Sequence, residues 1–427
     1  LFTATVLTLI VLPILFKVFD SKEFKRSKLK KGKKHLTVIL LLLASSFGFA
    51  QNTNMSREAV IAKALENNKG IKAAALQVNK MQENIKSSFT FEKTNVYYSY
   101  DQNNLALNNL PLKVFGVQQR FLFPTVYGVQ KKANTSEFEK EKADYELQKN
   151  KLSLQVAKTY EQIVYWQHQE RLYSYLDSLY QNFSKASDRR FELGETNYLE
   201  KITAQSKYRQ IKTKLTQINF EKKAQYESLQ ALVQSDEKIS ILEKELVPIP
   251  TLDTTSNKAI HTAYLESISK MYKSQISLQK QHWLPDLNLE YFQGRNNGLS
   301  QSLYGFQVGI AVPILFSGNV SKTKVAQLES QSWEEQKQNQ EQKMTQFIRQ
   351  QQNEIAKYQE SINYYNATGK KLSEEIIKVA NSSYKNGEID FFQYIQSLEN
   401  AVAIKIEYVE AVLQFNSNQL ELHYLNF

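Results

Sequence analysis

Few side chains in this 427-residue chain have both the type and the spacing to do chemistry. Glu388 and Asp390 come closest, two acids just past Gly387. Acids in that position do one of two jobs. At a helix start they cap free N–H groups and complement the dipole; repeated by symmetry around a constriction, they attract cations. His168, His261, His282 and His423 are scattered, and no His/Asp/Glu cluster has metal-ligand spacing. The absence of cysteine removes disulfides, thiolate metal sites and cysteine nucleophiles. No Gly-rich phosphate loop, His-Glu-x-x-His or Gly-x-Ser-x-Gly occurs. The sequence predicts no catalytic, cofactor or metal site, and so points away from an enzyme.

The elements around those acids come in duplicate. Phe123-Pro124-Thr125-Val126-Tyr127-Gly128 is answered by Val312-Pro313-Ile314-Leu315-Phe316-Ser317-Gly318, 189 residues later by the prolines. Arg190-Phe191-Glu192-Leu193-Gly194-Glu195 is answered by Ser383-Tyr384-Lys385-Asn386-Gly387-Glu388, 193 residues later by the glycines. Val96-Tyr97-Tyr98-Ser99-Tyr100 corresponds to Leu287-Asn288-Leu289-Glu290-Tyr291 at an offset of 191. Three ordered landmarks at nearly one offset predict a tandem duplication.

Each unit carries long helices. From Met344 through Ile348, Ile355, Tyr358, Ile362, Tyr365, Leu372 and Ile376 to Val379, apolar residues keep alternating three- and four-residue steps, skipping only Gln351 and Gly369. That period of 3.5 marks a coiled-coil seam. Leu172, Leu176, Leu179, Phe183 and Ala186 repeat it in the first half. Returning helices follow the glycine turns, through Tyr208, Ile211, Leu215 and Ile218, and through Ile395, Leu398, Val402, Val409 and Val412. At ~1.5 Å per residue the longer helices reach about 100 Å.

Ahead of each long helix lies a pair of strands. Tyr304, Phe306, Val308, Ile310 and Val312 alternate with Gly305, Gln307, Gly309 and Ala311; Phe115, Val117, Phe121 and Phe123 oppose Gly116, Gln118 and Arg120. Apolar outside and small or polar inside is what a membrane barrel requires. A half-buried soluble sheet gives the same alternation. If the strands lie in lipid, four of them cannot close alone, and an open edge in hydrocarbon is forbidden, so further copies must complete the barrel.

Residues 1–50 read as address rather than fold. Residues 1–19 resemble the remnant of a membrane helix, 20–35 form a basic cytoplasmic linker, and 36–50 have a secretory-signal pattern with cleavage between Ala50 and Gln51. These fifty residues hold nine Lys/Arg against two acids, leaving 45 against 41, or +4, for the remainder of a chain whose total is +11. A charge so slight argues against nucleic-acid partners.

The ordered set of exported rods, two helix–strand–strand–helix–helix repeats and Pro-x-x-aromatic junctions resembles the TolC-like outer-membrane efflux channels. Glu58-Ala59-Val60 with Ala64-Leu65-Glu66-Asn67-Asn68 resembles the opening helix of that family, and Leu284-Pro285-Asp286-Leu287 its entry into the second hairpin. The resemblance implies a mainly α fold with a β-barrel part: repeats over 51–246 and 258–427, a link over 247–257, an α-helical barrel across the periplasm, and twelve strands in a homotrimer. It also implies a periplasmic membrane-fusion adaptor and an inner-membrane resistance-nodulation-division (RND) pump. Under it Gly116, Gln118, Arg120, Gly305, Gln307, Gly309 and Ala311 face the lumen. Leu193, Gly194, Glu195, Asn386 and Gly387 become adaptor-docking tips, and Glu388 with Asp390 a threefold ring of carboxylates at the periplasmic gate. The segment Thr8-Leu9-Ile10-Val11-Leu12-Pro13-Ile14-Leu15-Phe16 is similar to the end of a heavy-metal RND pump of the CusA/CzcA type, which would make the chain part of a pump–channel fusion with heavy-metal cargo. A coiled-coil envelope spacer without a pore is the rival reading.

Overall fold

The computed structural model describes residues 54–103, 109–253, 255–298 and 300–425. The membrane-helix remnant, the basic linker and the signal-like segment with its Ala50–Gln51 junction lie outside the described residues.

A short strand β1 (Asn54–Met55) leads into α1 (Arg57–Asn67) and α2 (Lys69–Lys86), then into the hairpin β2 (Asn95–Asp101) and β3 (Leu112–Phe121). Next come α3 (Pro124–Glu192), α4 (Tyr198–Val233) and the short β4 (Ser240–Ile241), which pairs parallel with β1. The order repeats as α5 (Thr255–Gln281), β5 (Asp286–Arg295), β6 (Leu303–Ala311), α6 (Ser317–Tyr364), α7 (Lys370–Lys385) and α8 (Phe391–Tyr424). Among the described residues no helix is long and apolar enough to cross a membrane.

Local chemistry sets the ends of these elements. Pro124 opens α3, where its missing N–H costs nothing. The 69 residues of this helix make a rod of about 100 Å. Ser56 caps α1 by accepting from the Ala59 N–H. Asn68 breaks α1 from α2: its Oδ1 accepts from the Gly70 and Ile71 N–H groups, while its Nδ2 donates to the Leu232 carbonyl of α4.

Two apolar clusters hold the helices together. One packs Val60 and Ala64 of α1 against Val156, Tyr160 and Ile163 of α3, Leu229 and Val233 of α4, and Val409 and Val412 of α8. The other gathers Leu176 and Tyr180 of α3, Ala204 of α4, Ala380 of α7 and Phe391, Tyr394 and Leu398 of α8, nearer the glycine turns. The Tyr160 hydroxyl donates to Met55 O at 2.9 Å and accepts from the Leu242 N–H at 3.2 Å, tying β1 and the segment after β4 to α3.

Beside the first cluster lies a buried polar network. Glu161 accepts from Arg57 Nη1 at 3.0 Å and from Asn416 Nδ2 at 2.8 Å. Asn416, wholly buried, also donates to Val247 O and accepts from the Ile249 N–H, both at 2.9 Å. Both oxygens of Glu161 and both polar atoms of Asn416 are used, so the linker backbone is fixed to α3 and α8 without an orphaned group. Burial pushes the Glu161 carboxyl up, against the pull of Asn416 and Arg57.

The seam in the second repeat departs from the sequence expectation. A π-helical turn at Tyr365–Gly369 separates α6 from α7. One extra residue per turn rotates everything beyond it by about one position. Met344 and Ile362 are buried as expected, but past the turn Ser373 and Ala380 are buried, while Leu372 and Val379 are 40% and 54% exposed. In the first repeat Ala186 is exposed, and the neighbouring Ser184 and Ser187 take the buried face.

Replacing Asn416 with Ala strands the Ile249 N–H and removes one of the two partners of Glu161. The expected cost is about 3 kcal/mol, measured as a shift of the denaturant midpoint of the detergent-solubilised protein.

Candidate functional site

The strands β2, β3, β5 and β6 form one antiparallel sheet in that order, and their register sorts every side chain onto one of two faces. Tyr98, Phe115, Gln293 and Tyr304 share a row, followed by Val96, Val117, Tyr291 and Phe306, and then by Leu289 with Val308 and Leu287 with Ile310. Phe306 is 73% exposed and Val308 75%. A soluble sheet buries such a face, yet no layer of the described residues covers it.

The opposite face holds Gly116, Gln118, Arg120, Gly305, Gln307, Gly309 and Ala311 together, on one side of the sheet as the alternation required. Asn95, Gln118, Glu290 and Gln307 form a polar row across all four strands. The next row alternates Tyr97, Gly116, Phe292 and Gly305. A Cβ at Gly116 would run into the Tyr97 ring, and one at Gly305 into the Phe292 ring, so these glycines make room for aromatic rings laid across the sheet. Gly309 has no such lid; a Cβ there would meet only Asn288 Cβ, at 3.8 Å. Tyr97 hydrogen-bonds to Glu290, and Arg120 pairs with Asp286 at 2.6 Å.

Pairing also corrects the strand equivalence. The 189-residue offset makes Val117 equivalent to Phe306, and these pair with Val96 and Tyr291. The first strands are therefore related by 195 residues, not 191. The difference is an even number, so the faces are preserved.

At the other end of the helices, Gly194 and Gly387 have φ of 71° and 74°. Both close helices in the same way. Glu195 N–H donates to Arg190 O and Glu388 N–H to Ser383 O, each at 2.8 Å, with the glycine supplying the left-handed residue such a C-cap requires. Leu193, Glu195, Asn386 and Glu388 are exposed around them. Asp390 is exposed too, but its Oδ1 is engaged. It accepts from the Gln393 N–H at 2.8 Å while Gln393 Oε1 accepts from the Asp390 N–H at 3.1 Å, a complete capping box for α8. Asn197 caps α4 in the first repeat.

The two tips touch through residues that sequence spacing does not reveal. Arg190 Nη1 donates to Glu200 at 3.1 Å and to the Tyr384 hydroxyl at 3.0 Å. Tyr384 stacks on Tyr394 at 4.6 Å, and Lys207 of α4 pairs with Glu399 of α8 at 2.6 Å. Burial pushes the Tyr384 phenol up despite Arg190, keeping the hydroxyl protonated. Burial holds the His168 and His261 imidazoles down. No group of three His, Cys, Asp or Glu able to hold a metal comes together among the described residues.

No family model and no curated protein matches the sequence. Solved structures do match. The chain superposes on CusC, studied for conformational changes accompanying folding and transmembrane channel formation, with a TM-score of 0.72 at 14% identity, over 87% of this chain and 92% of the other. For the Campylobacter jejuni CmeC outer membrane channel the TM-score is 0.72 at 15% identity, covering 87% and 86%. For the Vibrio cholerae outer membrane protein VceC it is 0.70 at 14% identity, covering 86% and 95%. The chain has the fold of these outer-membrane channels.

Removing the cap with Asp390→Ala is expected to lower stability by about 1 kcal/mol, whereas Asp390→Asn, which caps equally well, stays within a few tenths. Urea unfolding of the two variants side by side distinguishes them.

Proposed function

We propose that this chain is one protomer of a homotrimeric outer-membrane channel, the passive exit duct of a tripartite efflux system. The observation that carries the reading is the four-stranded sheet with an exposed apolar face and a glycine-rich polar face, joined directly to helices of about 100 Å. Its edge strands β2 and β6 run in opposite directions, so β6 of one copy and β2 of the next can join antiparallel. Three copies of four strands then give twelve, an even number, as such barrels require. The face bearing Phe306 and Val308 would meet lipid. The face bearing Gly116, Gln118, Arg120, Gly305, Gln307, Gly309 and Ala311 would line the lumen.

The helices would extend through the periplasm. There Leu193, Gly194, Glu195, Asn386 and Gly387 form the surface for a membrane-fusion adaptor that links the channel to an inner-membrane RND pump. The two repeats, 51–246 and 258–427, joined over 247–257, supply one tip each. Glu388 and Asp390 would contribute six carboxylates at the narrow end and favour cations. The heavy-metal cargo suggested by residues 8–16 stays tied to that tail. A conduit of this kind needs no catalytic group. The rival spacer would leave the apolar sheet face in water, which speaks against it.

The chain has no cysteine, so single cysteines report cleanly on the environment of each face. In intact outer membranes, Gly309→Cys should react with an aqueous, membrane-impermeant maleimide and Val308→Cys should not. Equal labelling of the two would refute the barrel. Purified protein in planar bilayers should conduct ions, and bulky modification at Gly309→Cys should lower that conductance. In the same recordings Asp390→Asn, which keeps the cap, should reduce cation preference if the carboxylate ring acts at the gate; an unchanged preference assigns Asp390 to capping alone.

A further inference from the structure

The outward face of the sheet carries one feature that a lipid-facing surface alone does not explain. At the loop end of the strands, farthest from the helices, the register sets Lys113 of β3 directly opposite Arg295 of β5. Tyr100 flanks Lys113 on the other side, and Tyr304 lies one row inward on β6. Like charges directly opposite each other on one face destabilise a sheet pair. Among the described residues neither cation has an ion-pair partner. Sequence supplies no rescue nearby. The connections over 102–111 and 296–302 contain no acid, and Asp101 is on the opposite face, where its carboxylate accepts from the Asn103 N–H.

The pair stands at a particular height. Below it the outward rows run through Phe115, Val117, Gln119 and Phe121 with their partners, rows about 7 Å apart along the strand. Apart from Gln119 and Gln293 on these two strands, that is an apolar band on the scale of the ~25 Å of a membrane barrel. Tyr98 and Tyr304 lie one row in, where an aromatic girdle belongs; the two cations lie just above them, level with Tyr100, at headgroup level.

We propose that Lys113 and Arg295 form a clamp for the phosphate of an outer-leaflet lipid headgroup, one clamp per protomer. An anion between them turns a repulsive pair into two attractive ones. The guanidinium fork of Arg295 suits two phosphate oxygens, and the ammonium of Lys113 supplies a point charge. The acyl chains of the same lipid would lie down the apolar band, so the clamp selects phosphorylated lipid over free anion. The inference rests on the membrane-barrel reading, and adds to it a bound ligand and a position.

The test uses the purified full-length protein in detergent, with diphosphoryl lipid A, its dephosphorylated form and inorganic phosphate as probes. Binding is read by native mass spectrometry and stability by thermal unfolding. Wild type should bind the diphosphoryl lipid at least ten-fold more tightly than K113Q/R295Q, at roughly a several-fold loss per cation. The charge-conserving K113R/R295K should retain it. Without lipid, K113Q/R295Q should be as stable as wild type or more so, because the repulsion is gone; a merely structural role predicts the reverse. Should the double variant fail to assemble, K113Q alone should show the same trend at a several-fold effect. Equal lipid binding by wild type and K113Q/R295Q, equal binding of the dephosphorylated lipid, or full competition by inorganic phosphate would each overturn the clamp. Those failures leave the channel reading standing. A wild-type protein released from membranes without detergent would instead remove the channel reading.

Discussion

Hydrocarbon offers no hydrogen bonds, so a strand edge within it must find a partner strand or leave its N–H and C=O groups unpaired at several kcal/mol each. That constraint governs the proposed assembly. The larger sheet has four strands, with edges at β2 and β6. Immersed in a bilayer, those edges make the isolated chain an incomplete structure and make oligomerisation a requirement of solvation. Everything the sheet shows is then a condition for closure: opposed edge directions, one apolar face, and glycines that let Tyr97 and Phe292 lie flat on the other. In a closed barrel the row of Tyr97, Gly116, Phe292 and Gly305 would continue as an alternation of ring and gap, packing the inner wall without filling the lumen.

A closed barrel would impose its symmetry on whatever hangs from it, so the helices would have to leave the sheet at fixed angles. The Arg57–Glu161–Asn416 network would serve that demand at the linker between repeats. An apolar contact could hold the linker near α8, but the Val247 carbonyl and Ile249 N–H would then lose the protein partner that fixes them. Asn416 supplies a donor and an acceptor to the same stretch of backbone and a second donor to Glu161, fixing register as well as proximity. The cost is a carboxyl pushed up by burial, held in place by Arg57.

What could be read from the sequence, and what could not, follows the range of the interactions. Gly194 and Gly387 were legible because a left-handed residue at a helix end is a local requirement. The facial sorting of Gly305, Gln307 and Gly309 against Phe306 and Val308 was legible because strand alternation has a period of two. Strand equivalence was misplaced by four residues, since pairing register is set by contacts between segments nearly two hundred residues apart. The seam was followed correctly to Ile362 and then lost by one position, because nothing local distinguishes Tyr365–Gly369 as a π turn from an α turn. Gly369 is the one hint: a Cβ there would press to 3.2 Å from the Tyr364 ring and 3.3 Å from Ile404. The Asn416 network left only a weak trace, a polar residue four positions after Val412 on an apolar stripe. The contact of Arg190 with Tyr384 left none.

The duplication is imperfect in a way that bears on mechanics. In the first repeat α3 runs without a break from the sheet to its tip. In the second, the π turn interrupts the equivalent rod, braced by Tyr365 stacked on Tyr408 at 3.9 Å. π turns are among the few places where long helices kink. In a trimer, three continuous rods would alternate with three interrupted ones. The interrupted rods end at Gly387, next to Glu388 and Asp390, while the continuous ones end at Gly194 beside Arg190, whose guanidinium reaches across to Tyr384. The acids thus belong to the hairpin with the π turn, and the arginine that reaches it belongs to the hairpin without one. The two similar halves thus differ in continuity, one rod unbroken and the other interrupted, and their tips meet where Arg190 donates to the Tyr384 hydroxyl.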